Sequence, residues 1–222
     1  MSDDTDVRDL PEWLQPLAER VRQVTAEHLS PRFPTPPRGA RPAAVLMLFG
    51  DDADSGPEIV LTRRSDNLRA HAGQIAFPGG SVDDTDPTPV AAALREADEE
   101  VGVRADEVDV FGELPVLWLP PNNFAVTTVL GYRAHVRELM PVDPGEVASV
   151  FSVPIARLLD PANRYMLIHP NGYHGPAFDI GTRVPLWGFT AGLISRLFEH
   201  AGWERPWDHD DLRTLDAVVG DL

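Results

Sequence analysis

GGSVDDTDPTPVAAALREADEEVGV, residues Gly79–Val103, sets the terms on which the rest of the chain is read. Thr88 is a strong helix N-cap residue and Pro89 suits a first helical position. Gly102 stands where a left-handed C-terminal residue belongs, so the spacing predicts a helix from about Pro89 to Val101. On that helix Glu96, Glu99 and Glu100 fall at i, i+3 and i+4, which places three carboxylates on one face. Glu96 and Glu100 then repel by roughly a few tenths of a kcal/mol unless a cation sits between them. Oxygen ligands of this charge suit Mg²⁺ or Mn²⁺, with water and substrate phosphate completing the shell. READEE taken alone is better read as a solvated acidic helix face, but its surroundings shift the balance. Ala91, Ala92, Ala93 and Leu94 permit close approach to a sheet, and Gly79-Gly80 lets the backbone come near a ligand. DDTD (Asp83–Asp86) lacks the glycine and the terminal glutamate of a calcium loop.

Immediately upstream runs LTRRSDNLRAHAGQIAFPGG, Leu61–Gly80, where Arg63, Arg64 and Arg69 stand against the single acidic residue Asp66 in a chain of formal net charge -16. So acidic a body disfavours nonspecific nucleic-acid binding, and a phosphate-bearing ligand needs a local basic patch or a metal. This stretch can supply the patch. Arg64 and Arg69 offer forked donors suited to phosphate, with an exposed charge or a salt bridge to the acidic body as the alternative for each.

Gly80, Asp86, Arg95, Glu96, Ala97, Glu99, Glu100, Gly102 and Val103 together resemble the Nudix box, G-x5-E-x7-R-E-U-x-E-E-x-G-U with U aliphatic. Asp86 stands where the general pattern has Glu, and eight residues rather than seven separate it from Arg95. Both departures resemble the coenzyme A pyrophosphatase branch, whose upstream signature L-L-T-x-R-[SA]-x3-R-x3-G-x3-F-P-G-G is met by Leu61, Thr62, Arg64, Ser65, Arg69, Gly73, Phe77, Pro78, Gly79 and Gly80, with Val60 in place of the first leucine. Two motifs in register, ending and beginning on the same glycines, make a chance match remote. The resemblance implies a Nudix fold, an α/β (α+β) sandwich with a mixed β-sheet between helices. It implies hydrolysis of the coenzyme A pyrophosphate to 4'-phosphopantetheine and adenosine 3',5'-bisphosphate. It further implies Mg²⁺ or Mn²⁺ held by Glu96, Glu99 and Glu100, and substrate contacts from Arg64, Arg69, His71, Gly73, Phe77, Gly79 and Gly80. Arg95, at i,i+4 to Glu99, is expected to organise the carboxylates rather than touch substrate. Another Nudix substrate such as ADP-ribose would share the box without needing the upstream signature. A noncatalytic nucleotide-binding regulator would need lost carboxylates, and none is lost.

Metal ligation consumes carboxylate lone pairs, so the water-activating base is sought elsewhere. Glu146, in VDPGEVASVF, follows a Pro-Gly turn and precedes a strand, which puts it at a sheet end; a solvated turn residue is the alternative, and Glu100 is the rival base.

Around this centre, Leu10, Leu14, Leu17, Val21 and Val24 predict an amphipathic helix over about residues 10–28, ended by the five-proline stretch Ser30–Pro42 as an extended linker. The expected organisation is residues 1–42 as helix and linker packed on the core and residues 43–222 as the Nudix domain. Ala43–Phe49 and Glu58–Arg64 read as a hairpin, and Val108–Leu119 and Phe124–Val136 as two strands across PPNN. VFSVPIARLLD reads as a strand entering a short helix, and Trp187–Gly202 as a helix with a glycine stop. The absence of cysteine excludes disulfides, thiolate zinc sites and a cysteine nucleophile. All 19 basic residues are arginine, which excludes Schiff-base and P-loop lysines. The first residues lack a basic region leading into an apolar one, and no run approaches the ~18 apolar residues of a membrane span, so the expectation is a cytoplasmic protein acting on a small molecule, without nucleic acid or membrane as partner. A homodimer is left open.

Overall fold

The computed structural model describes residues 9–29, 35–68, 72–134, 139–170 and 172–219. Among them an eight-stranded mixed sheet forms the body. Strand β1 (Arg41–Asp52) turns into β2 (Gly56–Arg64) as an antiparallel hairpin, and β1 runs parallel to β7 (Phe124–Arg133). The hairpin pairs only near its turn and then diverges, and the chain Ile75–Ser81 fills the fork: β3 (Ile75–Ala76) pairs with β2 and β4 (Gly79–Ser81) with β1. The Leu46 amide donates to the Pro78 carbonyl across the fork (2.8 Å). On the outer edges β8 (Val147–Pro154) pairs with β2, and β5 (Asp109–Glu113) and β6 (Leu117–Leu119) pair with β7.

Side-chain alternation on β1 divides the core. Ala44, Leu46 and Leu48 join Val60 and Val129 beneath α3 (Pro89–Val101), against Ala92, Ala93, Ala97 and Val101. Met47 and Phe49 face the other way, into a larger core with Ile59, Leu61 and Leu130. That core is closed by α1 (Gln15–Val21), α2 (Ala26–Leu29) and α5 (Gly188–Ala201). Helices therefore cover both faces of a mixed sheet, as expected.

Helix α3 takes its predicted bounds: the Thr88 hydroxyl accepts from the Ala91 amide (3.1 Å), Pro89 opens the helix and Gly102 ends it at φ 69°. The N-terminal helix does not run unbroken over residues 10–28. Leu10, Leu14, Leu17, Val21 and Val24 are all buried, but the chain leaves the helix after Val21 and restarts at Ala26, where the Thr25 hydroxyl accepts from the His28 amide. A local cap of this kind competes with helix continuation, and apolar spacing alone does not reveal it. The expected strand Val108–Leu119 is likewise split, since Pro115 falls between β5 and β6. Arg41 and Pro42 belong to β1 rather than to the linker, and Ser30–Pro34 lie outside the described residues.

Beyond β8 come α4 (Ile155–Leu159) and a three-stranded sheet of β9 (Arg164–Ile168), β10 (His174–Phe178) and β11 (Leu212–Thr214), followed by α6 (Leu215–Val219). The small sheet is pinned to α5 by Arg164, whose buried guanidinium donates to the Ser195 hydroxyl (2.8 Å) and the Glu204 carboxylate (2.7 Å). Among the described residues no helix is long and apolar enough to cross a membrane.

Candidate active site

The site lies where the fork in the sheet meets α3. Gly79 and Gly80 run along β1 opposite Val45 and Ala44, and the helix carboxylates come up against them. The Gly79 amide donates to Glu100 Oε2 (3.0 Å). A Cβ on Gly80 would lie 2.5 Å from Glu96 Oε1, so only glycine leaves that carboxylate its place. At Gly79, φ is 150° and a Cβ would press into the Ala44 carbonyl and the Val45 backbone. Gly79→Ala is therefore expected to cost about 1–3 kcal/mol through backbone strain, read as a lowered melting temperature, with loss of activity as Glu100 loses its amide.

Burial pushes the Glu100 carboxyl up to about 7; the Gly79 amide and the Arg64 charge oppose this, while Glu96 and Glu146 add to it. Glu96 is raised in the same way, by burial first, with the Arg95 guanidinium opposing and Glu99 and Glu146 adding. Glu146, from a separate part of the chain, thus acts on both Glu96 and Glu100 beside the glycines. Glu146 reaches this place because its own carbonyl accepts from the Ser65 amide (2.8 Å) and its loop is tied to α3 by the Val142 amide, which donates to the Glu100 carbonyl (3.1 Å).

Arg95 holds the entry to the helix together. It makes two hydrogen bonds to the Asp86 carboxylate (3.1 and 2.9 Å), one to the Ser81 carbonyl (3.1 Å) and one to Glu99 Oε2 (2.9 Å), and it approaches Glu96 Oε1 at 3.2 Å. Asp86 is held below the usual carboxylate range chiefly by that pairing, and Arg95 is kept firmly protonated by it. Asp86 meets Arg95 in the position where the general box has Glu; the shorter side chain is matched by one extra residue of loop.

The three helix carboxylates do not form a closed ligand set as they stand, because Glu99 is exposed and drawn to Arg95 while Glu96 and Glu100 turn in toward the glycines. Among the described residues no group of three carboxylate or imidazole side chains encloses a cation-sized space. The donors nevertheless fit a hard divalent cation: Glu96 and Glu100 are oxygen-only and largely withdrawn from water, and with Glu99 and Glu146 acting on them the carboxylates outnumber the guanidiniums of Arg64 and Arg95.

The upstream stretch divides by strand alternation. Thr62 and Arg64 share the face of β2 that carries Glu58 and Val60, toward α3, and a register shift against β8 falls between Arg63 and Arg64. The buried Arg64 Nε has no partner, so a donor is available beside Glu100. Arg63 instead pairs with Asp66 (2.6 Å). Gly73 sits at φ 70°, where a Cβ would lie 2.9 Å from Asp66 Oδ1, and its amide donates to the Arg64 carbonyl (3.1 Å), closing the loop that follows β2. Phe77 is 3% exposed in the larger core, so it holds the turn from beneath rather than offering a face to a ligand. Arg69 and His71 lie outside the described residues. Ser65 is legible in the sequence only as a signature position and Val142 not at all; their amides bind the Glu146 loop to the site, and backbone donors of this kind leave no residue-type signal.

The fold is an α/β sandwich in which a glycine turn at a fork in the sheet meets a helix that carries three carboxylates. The family described as NUDIX domain matches residues 39–169. A Cronobacter sakazakii protein named uncharacterized Nudix hydrolase NudL is 39% identical over 186 residues, covering 80% of this chain and 91% of the relative. The protein of the same name from Escherichia coli K12 is 41% identical over 150 residues, covering 64% of this chain and 73% of the relative. Among solved structures, RenU, a Nudix hydrolase from M. smegmatis, aligns with a TM-score of 0.53 at 21% identity over 77% of this chain and 91% of its own, a likeness of fold. The chain belongs to the Nudix hydrolase family, enzymes that hydrolyse nucleoside diphosphate derivatives, generally with divalent metal ions.

Proposed function

We propose that the protein hydrolyses the pyrophosphate bond of coenzyme A, giving 4'-phosphopantetheine and adenosine 3',5'-bisphosphate. The observation that carries this reading is the signature Val60–Gly80: its Arg64 stands beside Glu100 and its final glycines support both Glu96 and Glu100. Glu96, Glu99 and Glu100 would hold Mg²⁺ or Mn²⁺. When bound, the cation neutralises diphosphate charge and lowers the pKa of a bound water. Glu99 is free to swing from Arg95, since both ends of that pair reach solvent. Arg64 donates to a phosphate oxygen, and Arg95 keeps the carboxylates in place through Asp86 and Ser81. Glu146 accepts the proton of the attacking water, which enters in line with the leaving phosphate.

A panel of coenzyme A, ADP-ribose, NADH and nucleoside triphosphates, assayed for kcat/KM with Mg²⁺ and Mn²⁺, tests the assignment: coenzyme A should lead, and a lead by ADP-ribose would reject it. Arg69→Ala should lose more kcat/KM on coenzyme A than on a diphosphate lacking the 3'-phosphate and the pantetheine arm. Equal losses on both would make Arg69 a general phosphate ligand.

A further inference from the structure

Two of the five large apolar side chains that stand exposed among the described residues fall on one short segment tied to the C-terminal end of α3: Met140 at 68% and Val142 at 58%. The segment is not loosely held. Leu139 packs against the smaller core, the Val142 amide is bound to the Glu100 carbonyl, and a Cβ on Gly102 would lie 3.4 Å from Val142 Cγ2. Asp143 then closes a turn, its carboxylate accepting from the Gly145 amide (2.7 Å) and its carbonyl from the amides of Glu146 (3.0 Å) and Val147 (2.9 Å). Past Glu146 the chain is tied to Ser65, next to Arg64. Met140 and Val142 thus keep most of their apolar surface in water, where it contributes little to folding.

The two flanks of the site differ in charge. Arg64 lies on the β2 side, and the loop before β8, tied to the C-terminal end of α3 by the Val142 amide, exposes the uncharged side chains of Met140 and Val142. Coenzyme A has the same polarity: a nucleotide with an extra phosphate on one side of its diphosphate and an uncharged amide-and-thiol arm on the other. We propose that Met140 and Val142 form the shelf on which the uncharged arm of the substrate lies, and so determine specificity for arm-bearing diphosphates. This rests on coenzyme A being the substrate. Methionine, unbranched and polarizable, suits a surface that must take a flexible chain or a longer thioester.

The test is a double variant, Met140→Ser with Val142→Thr, neutral so that no new charge repels the ligand. KM for coenzyme A should rise about five- to tenfold, and more for octanoyl-coenzyme A, with kcat changed less than about twofold. Product inhibition separates the two ends: inhibition by 4'-phosphopantetheine should weaken by a similar factor while that by adenosine 3',5'-bisphosphate holds. Met140→Leu with native Val142 should keep the low KM, and melting temperatures should match the wild type because both side chains are exposed. A wild type that cleaves coenzyme A beside a double variant of unchanged KM overturns the shelf and leaves the substrate assignment standing. A wild type inert on coenzyme A overturns both.

Discussion

Glu100→Gln is expected to lower kcat by about 10²–10³-fold or more, equivalent to the several kcal/mol that a correctly held metal contributes to a transition state gathering charge on phosphorus oxygens. The substitution keeps size and keeps an acceptor for the Gly79 amide, so the fold should survive. It should even gain stability when metal is absent. The Glu100 carboxyl titrates near 7 in the folded chain, against a reference value of 4.5. The folded state therefore holds a proton that the unfolded state has released between those values, and stability falls as pH rises through that window. Above about 7 the full cost of the buried charge is present, of order a few kcal/mol and shared with Glu96, and Gln removes it. The melting temperature of the metal-free variant should exceed that of the wild type at pH 8, and the gap should close toward pH 4.5. Mg²⁺ should narrow the gap at pH 8 by stabilising the wild type more. Glu99→Gln should match the loss of activity. A variant of either residue that retains full metal-dependent turnover would remove the helix carboxylates from the mechanism.

The second large effect is expected at Glu146→Gln: a loss in kcat of about 10²–10⁴-fold with little change in metal affinity, the range for removing a positioned general base. Glu146 influences the titration of both Glu96 and Glu100, and its loop is fixed at Ser65 and Val142, so the carboxylate is brought to the site without being tied by a helix. Its pH–rate profile decides the role. Loss of the acidic limb of the wild-type profile in the variant assigns the proton to Glu146. An unchanged acidic limb, or a loss below about tenfold, returns the role to Glu100 or to metal-bound hydroxide.

What could be read in the chain follows from how local each signal is. Helix α3 was legible to the residue because cap, proline and glycine stop are all local chemistry, and the hairpin and the β8-to-α4 passage because composition changes sharply there. The small sheet β9–β10–β11 was not: Arg164–Phe178 contains prolines and histidines with no clean alternation, and β11 is three exposed residues that pair with a strand more than forty positions away. The break in the N-terminal helix was missed because burial continues across it. Within the site, residue identity marked Glu96, Glu99 and Glu100, but only the packing of Gly80 against Glu96 and the pull of Arg95 on Glu99 show that one of the three stands apart from the other two. The placement of Phe77 in the core was hidden for the opposite reason: a motif position reads the same whether it touches a ligand or supports the turn that does.

Which bond of coenzyme A is broken is read from mass spectrometry of the products. With Mg²⁺ or Mn²⁺ the expected products are 4'-phosphopantetheine and adenosine 3',5'-bisphosphate in equal amounts, and neither when EDTA is present. Undiminished cleavage in EDTA, products cut elsewhere in the molecule, or intact coenzyme A beside readily hydrolysed ADP-ribose would contradict the assignment.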